Sequence, residues 1–122
     1  MSAVGKRILV VDDDPDILLV LTAILEDAGY TVLTADATTY QAPLRDHEPP
    51  DLILLDMLLS GHDGRDITRQ LKGQEATNHI PIIMLSAHPT AQRDARDVGA
   101  DGFMAKPFEM DDLLATVAAA LG

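Results

Sequence analysis

Four short apolar runs constrain this chain more than any other feature: Ile8 to Val11, Thr31 to Thr34, Leu52 to Leu55 and Ile82 to Leu85. Apart from the second, which is weaker, they show no polar alternation. Continuous apolar runs of this length suit strands covered on both faces. A fifth, less marked candidate is Gly102 to Ala105. Helical spacing fills the intervals. After Pro15 come Ile17, Leu21, Ile24, Leu25 and Ala28, with Gly29 as a natural stop. Asp63-Gly64 opens a segment carrying Ile67 and Leu71, Thr90 is placed to cap a helix running to Val98 and Gly99, and Met110, Leu113, Leu114, Val117 and Leu121 form a last amphipathic face. The stretch from Asp36 to Pro50 is the least regular, and Pro43 predicts a short, displaced or broken second helix. Strands alternating with helices predict an α/β fold, a three-layer α/β/α sandwich on a parallel sheet.

In such sheets ligands gather beyond the carboxyl ends of the strands. Those ends are polar here. The first strand runs into Asp12-Asp13-Asp14, the third into Asp56, the fourth into Ser86 and the fifth into Lys106. Each alone has a plain role: Asp14 caps the helix that Pro15 begins, Ser86 makes a turn, and Lys106 is a surface charge. Together they are a reactive set. Carboxylates crowded on one edge repel unless a proton or cation joins them. Oxygen donors without Cys or His favour magnesium or calcium. Metal, ammonium and hydroxyl are the parts that stabilise an equatorial phosphoryl charge, and a carboxylate among them is a nucleophile able to form an acyl phosphate.

The 122 residues fit one domain, expected over 1–122 with no output domain, and they include no cysteine, which excludes disulfides and thiolate metal sites. The start lacks a signal-peptide pattern, and no stretch reaches the roughly 20 apolar residues of a membrane span, so the expected location is cytoplasmic, with no membrane partner. The net charge of -11 predicts repulsion from nucleic acid and no direct binding to it.

Four segments, RILVVDDDPDI, PDLILLDMLLSGHDG, IPIIMLSAH and GADGFMAKPF, resemble the receiver domains of two-component response regulators in order and spacing. The resemblance implies a flavodoxin-like, CheY-like fold with five parallel strands in the order 2-1-3-4-5. It implies that Asp56 accepts phosphate, that Asp13 ligates Mg2+ directly and Asp12 through water, and that Asp56 and the Leu58 backbone carbonyl complete the metal set. Ser86 matches the hydroxyl residue that bonds the phosphoryl group, Lys106 the lysine that pairs with it, and Pro107 a proline after a cis bond. Phe103 matches the aromatic residue that turns inward with Ser86 as the switch. The output face is then the fourth helix, fifth strand and fifth helix.

The implied function is a signalling domain, not an enzyme in the usual sense, that catalyses its own aspartyl phosphorylation and dephosphorylation. The implied partners are a sensor histidine kinase or histidine phosphotransfer protein upstream and a protein target or output domain downstream, with the chain a monomer or weak homodimer. Ser60 and His62 depart from the commonest loop residues, and Pro43 disturbs a kinase-facing element. Leu58 cannot orient an attacking water and His88 is able to orient one or shield the site, so the acyl phosphate is expected to be moderately long-lived. His47, His62 and His79 read as exposed loop residues. Three other readings stand beside this one. An aspartyl phosphatase needs a second acid where Leu58 stands. A flavin or nucleotide module needs a Gly-rich loop where Asp12 to Pro15 stand. A receiver that no longer takes phosphate does not need the full acidic set and Lys106.

Overall fold

The structure is a computed structural model. It describes residues 5–46, 49–59, 61–88 and 91–122, and among these not the side chains of Asp46 and Leu58. Five parallel strands make one sheet: β1 (Arg7–Val11), β2 (Thr31–Ala35), β3 (Leu52–Asp56), β6 (Ile82–Ser86) and β7 (Gly102–Ala105). Their order is β2-β1-β3-β6-β7, which is 2-1-3-4-5 when sheet strands alone are counted. Two further strands, β4 (Leu58–Leu59) and β5 (His62–Asp63), pair as a small antiparallel hairpin just after β3. The apolar pattern did not predict this hairpin, because two-residue strands are too short to show a period.

The three inner strands are apolar on both faces because both faces are covered. On one face Ile8, Val10, Leu52 and Leu54 pack with Leu21 and Leu25 of α1 (Pro15–Asp27) and Leu113 and Val117 of α5 (Met110–Leu121). On the other, Leu9, Val11, Ile53 and Leu55 pack with Ile67 and Leu71 of α3 (Gly64–Lys72) and Ala91 and Ala95 of α4 (Ala91–Asp97). The weaker pattern of β2 follows from its place at the sheet edge, where Thr31 and Thr34 meet solvent.

Local signals set the helix ends. Asp14 accepts the Asp16 N–H and Asp63 accepts the Arg65 N–H, capping α1 and α3. Gly29 and Gly99 take positive φ after α1 and α4. The Thr90 cap lies outside the described residues. Helix α2 (Gln41–Asp46) is short, as Pro43 predicted. Pro43 falls within its first turn, where an N–H has no intrahelical partner, so the usual cost of about 3 kcal/mol for an interior proline does not arise.

Candidate functional site

Parallel register brings the carboxyl ends of four strands level. Val11 is paired with Leu55, Asp56 with Leu85 and Ser86 with Ala105. The residues at or just beyond those ends therefore share one edge. Lys106 reaches from β7 across that edge. Its Nζ lies 3.1 Å from Asp56 Oδ1 and 3.4 Å from Asp12 Oδ2. Both carboxylates are largely shielded, with Asp12 4% and Asp56 13% exposed in their side chains. A shared ammonium offsets their mutual repulsion where water screens it least.

Asp12 is fixed from several sides. Its N–H donates to the Ala35 carbonyl at 3.0 Å, and its Oδ1 accepts the Asp14 N–H at 2.9 Å. Asp13 Oδ1 accepts the Ala37 N–H at 3.3 Å, beyond β2. Ser86 is buried, and its hydroxyl oxygen accepts the His88 N–H at 3.0 Å. Its carbonyl accepts the Lys106 N–H at 2.9 Å, so the backbones of the hydroxyl residue and the lysine are bonded directly. The Lys106–Pro107 bond is cis. Phe103 is partly buried against the α3/α4 core and lines a cavity of about 250 Å³ beside Ala95 and Arg96 of α4.

Leu58 stands in the hairpin opposite Asp63. That hairpin is seated by Gly64, which sequence reading took only as a helix opener. The Gly64 N–H donates to the Met57 carbonyl at 2.7 Å. A Cβ there would overlap the Asp56 carbonyl oxygen and lie 2.9 Å from Met57 Cα. The signal was present in Asp63-Gly64, but only the fold shows which backbone the missing side chain admits.

Asp63 also pairs with Arg65, whose Nη2 lies 2.6 Å from Asp63 Oδ2. The Arg65 hydrogen bond holds the Asp63 carboxyl below its ordinary range, and Asp63 in turn raises Arg65. Asp36 is likewise lowered, chiefly by the Thr38 hydroxyl. His62 and His79 are exposed, as is His88, whereas His47 and Ser60 lie outside the described residues.

The donors fit a hard cation in kind. Among the described residues no group of three or more His, Cys, Asp or Glu side chains surrounds a common point. Magnesium uses one or two carboxylates and retains several waters, so the Asp12 and Asp56 pair meets its requirement in number. No helix of the described residues is long and apolar enough to cross a membrane.

A family model described as the response regulator receiver domain matches residues 8–118. The phosphate regulon transcriptional regulatory protein PhoB of Pseudomonas aeruginosa is 42% identical over 120 residues, covering 97% of this chain and 52% of PhoB. The DNA-binding response regulator MtrA of Mycolicibacterium smegmatis is 39% identical over 128 residues, covering 99% of this chain and 53% of MtrA. Among solved structures, the receiver domain of the sensor histidine kinase PA1611 from P. aeruginosa PAO1, with a magnesium ion coordinated in its active-site cleft, matches at a TM-score of 0.81 and 33% identity, covering 97% of this chain and 98% of that one.

The chain thus spans about half the length of the curated relatives it matches. These relatives overturn the expectation of no direct nucleic-acid partner, because MtrA is a DNA-binding response regulator. The net charge of -11 describes the field of this segment alone, and it does not exclude nucleic acid for proteins in which such a segment is one half.

Proposed function

The chain belongs to the response-regulator receiver family, and from that premise we propose that it takes a phosphoryl group from a partner's phosphohistidine onto Asp56 and so switches a partner-binding surface. The observation that carries this reading is Lys106 Nζ between Asp56 and Asp12 at the carboxyl edge of the sheet. In the proposed transfer an Asp56 carboxylate oxygen attacks phosphorus. The bond from phosphorus to the donor imidazole breaks as the new P–O bond forms. Lys106 moves its charge onto a phosphoryl oxygen. Ser86 donates its hydroxyl hydrogen to another, and the same oxygen is able to keep accepting the His88 N–H. Asp12, Asp13, Asp56 and the Leu58 backbone carbonyl would hold Mg2+, which supplies neutralising charge to the phosphoryl oxygens.

A groove of about 470 Å³ supports a protein donor. It runs beside Lys106 and is walled by Ile17, Val20 and Leu21 of α1 and by Pro107 and Phe108. Its apolar wall suits the side of a helix whose histidine reaches toward Asp56. Small donors such as acetyl phosphate are also expected to react, because the receiver supplies the reactive groups itself. The switch is a population shift: a phosphoryl contact to Ser86 exists in one state only and draws Phe103 inward. We place this activity in the cytoplasm.

The test is intact mass after incubation with magnesium and acetyl phosphate. Wild type should gain one alkali-labile phosphoryl group and Asp56→Asn none. Equal gain by both proteins would discard the reading.

A further inference from the structure

We propose that Arg65 is a positioning residue that straps α4 to the segment following Asp56, so that the freedom of this helix and phosphoryl uptake change together. The proposal rests on the function argued above. Three observations carry it. First, Arg65 is held in place before it reaches α4. Its Nε lies 3.0 Å from both Asp63 oxygens, its Nη2 is 2.6 Å from Oδ2, and its backbone N–H bonds Oδ1 at 2.9 Å. A guanidinium gripped along one edge presents its remaining nitrogen in a fixed direction. Second, that nitrogen, Nη1, lies 3.4 Å from Asp94 Oδ2 on α4. Third, the apolar anchors within α4 are small. The helix has seven residues, and those buried within it are Ala91 and Ala95. One methyl group apiece contributes little apolar burial, so a charged contact is a larger share of what restrains this helix than it would be for α1 or α5.

The strap joins two segments that the chemistry uses. Asp63 and Arg65 follow Asp56 through the hairpin seated on Met57 by Gly64. Helix α4 follows Ser86 in the chain: the Ser86 hydroxyl accepts the His88 N–H, and the His88 carbonyl accepts the Ala91 N–H at the start of α4. If Ser86 shifts toward a phosphoryl group, His88 and the start of α4 shift with it, and Arg65 resists.

The experiment compares wild type with Arg65→Gln, Asp94→Asn and the double variant. Two rates are read: hydrogen exchange at the α4 amides without phosphate, and phosphoryl uptake from acetyl phosphate with magnesium. Asp94→Asn leaves the Asp63 cap of α3 untouched. Each single variant should exchange about 2- to 5-fold faster in α4, the scale of a partly exposed ion pair. The double variant should add nothing further, Arg65→Lys should recover part of the protection, and uptake should rise by a similar factor as α4 is freed. Unchanged α4 exchange, or effects that simply add in the double variant, would overturn the strap. Faster exchange with unchanged or slower uptake would overturn the coupling. A wild-type protein that takes up no phosphoryl group would remove the functional reading and the coupling with it, a result distinct from one confined to the variants.

Discussion

The two ends of the central sheet each carry a lysine among carboxylates, and they use it differently. At the amino end Lys72 donates to the carbonyls of Asn78 and Ile80 at 3.3 and 2.9 Å and pairs with Asp101 at 2.7 Å. Asp101 Oδ2 also accepts the Ile82 N–H at 2.8 Å, while the Asp101 N–H donates to the Ile82 carbonyl at 2.8 Å. One ammonium thus staples α3 to the start of β6 and the turn before β7. At the carboxyl end Lys106 stands between two acids at longer distances, 3.1 and 3.4 Å. The side chains are about equally shielded, 18% exposed for Lys72 and 22% for Lys106. Burial of the lysine therefore does not separate them, although the acids differ, with Asp101 46% exposed against 4% for Asp12 and 13% for Asp56. What does is the partner set: neutral carbonyls and one acid close a structural contact, whereas two crowded acids make a charged edge on which another cation and an anion find a place.

The sharpest way to break this comparison is to remove each ammonium in turn. Lys106→Met should lower phosphoryl uptake by about 10²- to 10³-fold, the scale for losing one donor to developing negative charge. Lys72→Met should leave uptake within a few-fold of wild type yet destabilise the fold by about 0.5–1.5 kcal/mol, because it removes a charge-assisted bond to the part-buried Ile80 carbonyl. Uptake from acetyl phosphate and urea unfolding of both proteins decide the matter. If Lys72→Met loses uptake as severely as Lys106→Met, the two ends are not functionally distinct.

Gly64→Ala probes the carboxyl end through backbone rather than charge. The added Cβ meets backbone at Asp56 and Met57, which has no rotamer to yield. A destabilisation of about 1–3 kcal/mol is expected, with slowed uptake because the acceptor itself is displaced. Gly102→Ala is the control: its Cβ would meet a side chain, Ile83 at 3.3 Å, rather than the backbone of the acceptor segment, and uptake should be retained. Urea unfolding and mass spectrometry read both.

The contrast also shows why the fold was more legible than the site. Strands such as Leu52–Asp56 and Ile82–Ser86 announce themselves because burial on both faces leaves only apolar residues. That parallel strands end together follows from the fold, so Asp12, Asp56, Ser86 and Lys106 were readable as one edge before any coordinates. Direction was not readable. Adjacent acids take different partners, Asp12 the Lys106 ammonium and Asp13 the Ala37 N–H, and a run of three aspartates carries no sign of it. The same holds for Arg65, whose partner Asp94 lies on a different helix and whose sequence neighbourhood shows only a charged helical face. Strand order came from resemblance and not from periodicity, which is blind to it.

Leu58→Asn tests the lifetime of the proposed acyl phosphate. An amide there is able to orient water, so phosphoryl loss should quicken several-fold, by less than the effects above. Decay of the added mass after donor removal reads it. An unaltered rate would mean that the position after β3 does not govern hydrolysis.

The smallest effect is expected at Asp63, which is a charged pair near the reactive end yet a structural one in kind. The Arg65 hydrogen bond lowers this carboxyl in the folded chain, while in the unfolded chain it titrates near about 3.9. A lowered folded value means that the stabilisation is fully present above the unfolded value and is lost as pH falls through the folded one. Stability of wild type should therefore fall more steeply below about pH 4 than that of Asp63→Asn. Asparagine is also a good helix cap, so the variant removes charge while keeping the Arg65 N–H satisfied. At neutral pH it should cost about 0.2–1 kcal/mol, the range of an exposed pair. Urea unfolding of the two proteins across pH 3 to 7 measures both the slope and the neutral difference. If their curves run parallel through the acid limb, the pair adds no pH-dependent stability, and the charges near Asp56 would have to be read as serving chemistry alone.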